Sequence, residues 1–280
     1  MSLTEKFMHA ARKGFDKLDD WWNGERYAFF NSLREGDQPA VETFLAKKPH
    51  ALFWRERVYG SKDTPLHTAA RNGHAELALY LVKRGAPLEA PSACRQTPLL
   101  LALERGGVKT ALALIDAGAS IHAMTNQGQS VMDYAIWYGH LAVVLRLHQA
   151  GIPPQTGNDP MHAAAYMGQT DVMKFLQVNG IPPDGGDRHG HGRTPLMEAA
   201  SFGKSAALQQ LLDWGADYNA RDAEGQTATE IAAAREYPEI AGLIEKKRAT
   251  DTVKLIDAEA GAAHTGLQNN IRVRTIQLKK

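Results

Sequence analysis

The sequence predicts an all-α chain: a solenoid of stacked helix-turn-helix units with projecting loops. Three observations predict it. Residues that favour helix N-caps (Thr64, Thr97, Ser130, Asp159, Thr194 and Thr227) follow one another at intervals of 33, 33, 29, 35 and 33 residues. Gly73, Gly106, Gly139, Gly168 and Gly203 stand nine residues after the first five caps, and Gly85, Gly118, Gly151, Gly180 and Gly215 stand twenty-one after them. Leu81, Leu114, Leu147, Leu176, Leu211 and Ile244 stand seventeen residues after all six. A period near 33 with this punctuation is one folding unit copied along a chain. Such an array presents a long surface rather than a single pocket.

Each element of one copy has a local cause. The Thr64 hydroxyl can accept from the free amides of a helix start. Pro65 occupies the first helical position, where a missing N–H costs nothing, and Pro98, Pro160 and Pro195 repeat the device while Val131 and Ala228 omit it. Leu66, Ala69 and Ala70 form a small helical face that lets a neighbouring helix approach closely. Gly73 can end that helix in the left-handed conformation. Leu77, Leu81 and Val82 give a second helix its apolar stripe, Gly85 ends it, and a loop rich in Gly, Pro, Asn and Asp leads to the next copy.

The segments TPLHTAARNGHAELALYLVKRGAPLEA (64–90) and TPLMEAASFGKSAALQQLLDWGADYNARDAEG (194–225) closely resemble the ankyrin repeat. A degenerate copy precedes them: Ser32, Leu33, Gly36, Asp37, Phe44 and Leu45 match in phase and place its start near Tyr27. The last copy, from Thr227, carries Glu236 and Arg248 where the two glycines belong. The resemblance therefore covers about seven copies over residues 27–248. It specifies the fold; it does not by itself specify a partner.

The flanks differ from the array. Residues 1–26 open with Ser2 and Glu5 at capping-box spacing, and Leu3, Phe7, Ala10, Ala11, Leu18 and Trp22 follow as a helical stripe. This predicts an N-terminal capping helix, since terminal repeats need covers. A membrane-surface helix is disfavoured, because Lys6, Arg12, Lys13, Lys17 and Arg26 are balanced by Glu5, Asp16, Asp19, Asp20 and Glu25. At the other end, residues 249–280 are expected to be extended or to cap the array. Ile271, Arg272, Val273 and Arg274 alternate apolar and basic, and Thr252–Ile256 is rich in β-branched residues. Four readings stand open for this segment: a disordered or loosely packed tail, a cover over the exposed face of the last copy (Ala232, Ala233, Ala234), a self-occluding strap in the groove of the array, or an extended segment that contacts a partner.

Composition narrows the function classes. The 280 residues hold 32 basic and 31 acidic side chains, a net charge of +1, and so show no electrostatic footprint for nucleic acid. The single cysteine, Cys94, excludes an intrachain disulfide framework and suits a reducing compartment. No long apolar run predicts a membrane span, and the first residues lack an apolar signal core. The expectation is a cytoplasmic protein, monomeric when free, that binds another protein and neither nucleic acid nor membrane.

The resemblance also implies where binding residues lie. In ankyrin proteins the two positions before the turn glycine, and the loop residues before the capping Thr, face the concave groove. Those positions are Arg71 and Asn72, Glu104 and Arg105, Trp137 and Tyr138, Tyr166 and Met167, and Ser201 and Phe202. The first two pairs are polar. The next three are largely aromatic and apolar, a composition typical of interface cores. One continuous patch is expected of them, with internal packing of the same aromatics as the alternative. Trp54 and Trp214 fall in other phases.

The loop GGDRHGHGR (185–193) is longer than its counterparts and adds Asp187, His189, His191 and Arg193, whereas GIPPQTGNDP (151–160) is shorter. The loop is expected to be a polar fingertip whose His191 and Arg193 reach a partner. A zinc site at His189 and His191 lacks a second ligand pair, so no metal and no cofactor are expected. His67 and His162 occupy the position where an ankyrin histidine hydrogen-bonds its own turn. Cys94 before Arg95 has no committed base, and no phosphate-binding loop, HExxH or GxSxG occurs. A non-catalytic interaction module, an adaptor or a stoichiometric inhibitor, follows. The alternatives are an enzyme using the His189/His191 loop or Cys94, and a self-occluded binder.

Overall fold

The computed structural model describes residues 24–56, 62–155, 159–185 and 192–277, and over 259–277 the backbone alone. The expected capping helix at 1–26 therefore lies almost wholly outside the described residues, as do Asp187, His189 and His191. The described chain is helical, and its one departure is an isolated antiparallel bridge between Met124 and Ser130. It divides into two compact units, Met1–Pro160 and Met161–Lys280.

The first unit holds helix α1 over 24–35, α2 (Gln38–Lys47), a 3-10 turn (Pro49–Phe53), α3 (Pro65–Arg71) and α4 (Ala75–Lys83). It continues with α5 (Pro98–Glu104), α6 (Val108–Asp116), α7 (Val131–Trp137) and α8 (Leu141–Gln149). The first helices pack in the order α3, α5, α7, and the second helices in the order α4, α6, α8. The second unit runs from α9 (Pro160–Met167) through α10 (Thr170–Val178), α11 (Pro195–Ser201), α12 (Ser205–Asp213) and α13 (Ala228–Ala234) to α14 (Pro238–Gln277). There α11 packs on α13, and α12 packs on both α10 and α14.

The repeated residues do what their spacing implies. The hydroxyls of Thr64, Thr97, Ser130, Thr194 and Thr227 each accept from the backbone N–H three residues on. Leu81, Leu114, Leu147, Leu176, Leu211 and Ile244 are all completely buried. Each such side chain contributes about 1.5–3 kcal/mol by leaving water. Between copies the chain uses a device that the repeat spacing does not show. His74 Nε2 donates to the Arg34 carbonyl at 2.8 Å, and His140 Nε2 donates to the Leu103 carbonyl at 2.7 Å. Each bond satisfies a carbonyl at the end of a first helix one copy earlier.

The degenerate first copy is held by aromatics instead of small residues. Phe29 stacks on Phe44 with ring centroids 4.6 Å apart, and Trp54 meets both rings edge-on at 5.9 and 5.7 Å. The Arg26 guanidinium covers Trp54 at 5.0 Å. Trp54 is thus a core residue of this copy.

The C-terminal segment departs from expectation. It is helical to Gln277, as the continuation of the second helix of the last copy, rather than extended. The cause lies at Arg248. The second helices α4, α6, α8, α10 and α12 each meet a glycine at this position, α2 stops before Lys48 and Pro49, and α14 meets neither a glycine nor a proline there. With no terminator the helix propagates, supported by Arg248–Glu245 at 2.8 Å and Lys247–Asp251 at 3.2 Å. Residues 252–258 are exposed, and so are Ala233 and Ala234, so this stretch does not lie over the final copy.

Candidate partner-binding face

The positions singled out from the sequence sit at the C-terminal ends of the first helices, where each chain turns toward its second helix. In the first unit they form two rows. Arg71, Glu104 and Trp137 occupy one phase of α3, α5 and α7, and Asn72, Arg105 and Tyr138 the next. The packing of α3 on α5 and α5 on α7 brings neighbours within a row close together. In the second unit Tyr166 and Met167 end α9 and Phe202 caps α11.

The polar members of the face are partly engaged within the chain. Arg71 donates to the buried Asp63 carboxylate at 2.6 Å, and Asn72 donates to the Thr68 carbonyl at 2.8 Å. Gln96 precedes the cap Thr97, and its amide donates to Glu104 Oε2 at 2.6 Å and to the Tyr134 hydroxyl at 3.1 Å. Arg193 lies 3.6 Å from Glu198 and 3.9 Å from Asp222, whose side chain is 2% exposed. Asp63, Gln96 and Tyr134 were not among the predicted site residues. The signal for the first two was their place directly before a capping Thr, the place that singled out Arg193.

The aromatic members are half-packed. Tyr134 and Tyr138 rings lie 5.8 Å apart, and Tyr138 stacks on His140 at 6.2 Å. Tyr166 and Phe202 rings lie 4.1 Å apart. Trp137 and Phe202 nevertheless remain 39% and 38% exposed. Large side chains that are anchored on one side and wet on the other suit recognition, since little further ordering is needed on binding. Burial pushes the phenols of Tyr134 and Tyr138 above the usual range, and the Glu104 charge adds to the shift in both.

The repeat histidines are built into the scaffold. His67 Nδ1 accepts from the Thr64 backbone N–H at 3.1 Å, and its Nε2 donates to the Gln96 carbonyl at 3.1 Å. The side chain thus holds its own turn, as the resemblance implies, and also ties the next loop. His162 ties the next loop in the same way, Nε2 donating to the Arg193 carbonyl at 2.7 Å, but its buried Nδ1 has no partner among the described residues, so it departs from the expectation and does not hold its own turn. Burial holds His67 below its ordinary value of 6.5, with Asp63 and the Gln96 bond opposing and Arg55 and Arg71 adding. Cys94 is an exposed free thiol. Among the described residues no three His, Cys, Asp or Glu side chains gather as a metal site, and no helix is long and apolar enough to cross a membrane.

The family model for ankyrin repeats (three copies) matches residues 29–125, 134–222 and 161–254. This chain belongs to the ankyrin-repeat family, whose repeats are protein-interaction modules. Among curated proteins it is similar to ankyrin repeat-containing protein P1E11.10 of Schizosaccharomyces pombe, 39% identical over 32% of this chain and 42% of that protein. It is also similar to the ARF GTPase-activating protein Git of Drosophila melanogaster, 46% identical over 33% of this chain and 12% of the other. The chain thus aligns with less than half the length of these relatives. Among solved structures, the human ASB11 ankyrin repeat domain superposes with a TM-score of 0.65 at 22% identity, covering 78% of this chain and 96% of that one.

Proposed function

We propose that the chain is a non-catalytic binding module, an adaptor or a stoichiometric inhibitor, that engages a protein partner through the turn ends of its first helices and the adjoining loop tips. The observation that carries this reading is the partial exposure of Trp137 and Phe202 at equivalent ends of their helices, Phe202 against the Tyr166 ring and Trp137 next in sequence to Tyr138, whose ring packs on Tyr134. Interface energy concentrates in such aromatic anchors. On this reading Arg71, Asn72, Glu104, Arg105 and Tyr138 contact the partner beside Trp137 in the first unit, and Tyr166, Met167 and Arg193 do so with Phe202 in the second, while His191 lies outside the described residues. The histidines at the repeat position support a structural rather than a chemical role, His67 bonding its own turn and His162 the next loop, and Cys94 stands exposed in a loop. A cytoplasmic location rests on that single free thiol and the near-neutral charge.

Affinity capture from the native cell tests the reading. Wild-type chain should retain a partner that Trp137→Ala with Phe202→Ala releases, at unchanged melting temperature. Equal recovery by the folded double variant would reject this face.

A further inference from the structure

Within that binding face, and resting on that reading, Glu104 stands in an unusual setting. It occupies the same phase of α5 that Arg71 occupies on α3 and Trp137 on α7. Helices packed in this order place such neighbours about 8–10 Å apart. Arg71 is committed to Asp63 at 2.6 Å. Glu104 is held differently. Its Oε2 accepts the Gln96 amide at 2.6 Å, which fixes the carboxylate in place. Its Oε1 meets only a long contact, 3.8 Å, from Arg105 Nε, on a side chain 53% exposed. Exposed pairs of this kind contribute little.

The surroundings of this carboxylate are aromatic. The Tyr134 hydroxyl shares the Gln96 amide with Glu104, Tyr138 lies against Tyr134, and Trp137 stands at the end of the next first helix. Glu104 itself is only 27% exposed, so its charge is weakly screened and reaches both phenols. A fixed, half-buried carboxylate beside electron-rich ring faces attracts a cation twice, by direct charge and by cation–π attraction.

We propose that Glu104, with Tyr138 and Trp137, receives one lysine or arginine side chain of the partner protein. The incoming cation pairs with Glu104 Oε1 in place of Arg105, and its aliphatic stem lies along the rings. The partner's contact segment is therefore basic at this point.

A random peptide library displayed on phage, selected against the full chain, tests this. Selected peptides should share a Lys or Arg whose replacement by Gln weakens binding by about tenfold or more. Glu104→Gln in the full chain should lose the same factor at unchanged melting temperature. Arg105→Gln, at an exposed position, should tighten binding by about two- to threefold by removing the resident cation. Selected peptides without a cation, or Arg105→Gln weakening binding, would overturn the proposal. If Trp137→Ala loses binding while Glu104→Gln does not, the face is an interface but not a cation receptor. If neither variant matters, both readings fall.

Discussion

The second copy, α3–α4, and the last copy, α13–α14, are built on one plan with different punctuation. Both open on a threonine that accepts from the N–H three residues on, and both bury the residue seventeen positions later completely, Leu81 in one and Ile244 in the other. They differ at the glycines. Gly73 turns with φ +76, whereas Glu236 adopts φ +62 with a full side chain. Gly85 follows the end of α4, whereas Arg248 lets α14 run on to Gln277. Caps and buried positions thus define the helix pair. The glycines set how comfortably it turns and where it stops.

That separation can be broken first at the core. Leu81→Ala should cost about 2–5 kcal/mol, and Ile244→Ala should fall at the lower end of that range, because a terminal copy has a neighbour on one side only. Urea denaturation measures both. If Ile244→Ala is nearly silent, the last copy is not packed as the others are.

The turn residues come next. Glu236→Gly should stabilise the chain by about 1 kcal/mol by relieving a left-handed non-glycine residue, and Gly73→Ala should cost a similar amount. At Gly203 a substitution would also press on the Tyr237 ring, 2.9 Å from an added Cβ, so its cost should exceed that of Gly73→Ala. Equal melting of Glu236→Gly and wild type would show that this turn is already relaxed.

The smallest effects concern the residue three beyond the cap. His67 is held below 6.5 mainly by burial, so the folded chain resists its protonation. The unfolded chain takes up that proton, and the stability His67 contributes is lost as pH falls below about 6.5. Glu230 accepts from the Thr227 backbone and hydroxyl and is held below 4.5, so its contribution is present above that value and lost as pH falls through the folded value. Melting curves against pH should flatten in the upper window for His67→Gln and in the lower one for Glu230→Gln. Parallel curves in both windows would remove these capping residues from the acid response.

Most of the array was legible because its determinants are local. A cap, its Pro and its glycine lie within ten residues of each other, and the period exposes them. At the tail, alternation at Ile271–Arg274 suggests a strand, while the missing glycine at 248 lets a helix propagate through it. The ties made by His74 and His140 join residues 40 and 37 positions apart, which no local pattern shows. On the candidate face the residue types were readable, but their neighbours were not. Asp63 and Asp222 engage Arg71 and Arg193, and Gln96 orients Glu104 through loops that the repeat pattern leaves variable.

The most direct measurement is the affinity of a natively captured partner for wild-type chain and for Trp137→Ala with Tyr166→Ala, with melting temperatures matched. The account predicts a loss of about 2 kcal/mol or more, roughly thirtyfold in Kd. Wild-type affinity in a folded double variant would contradict it.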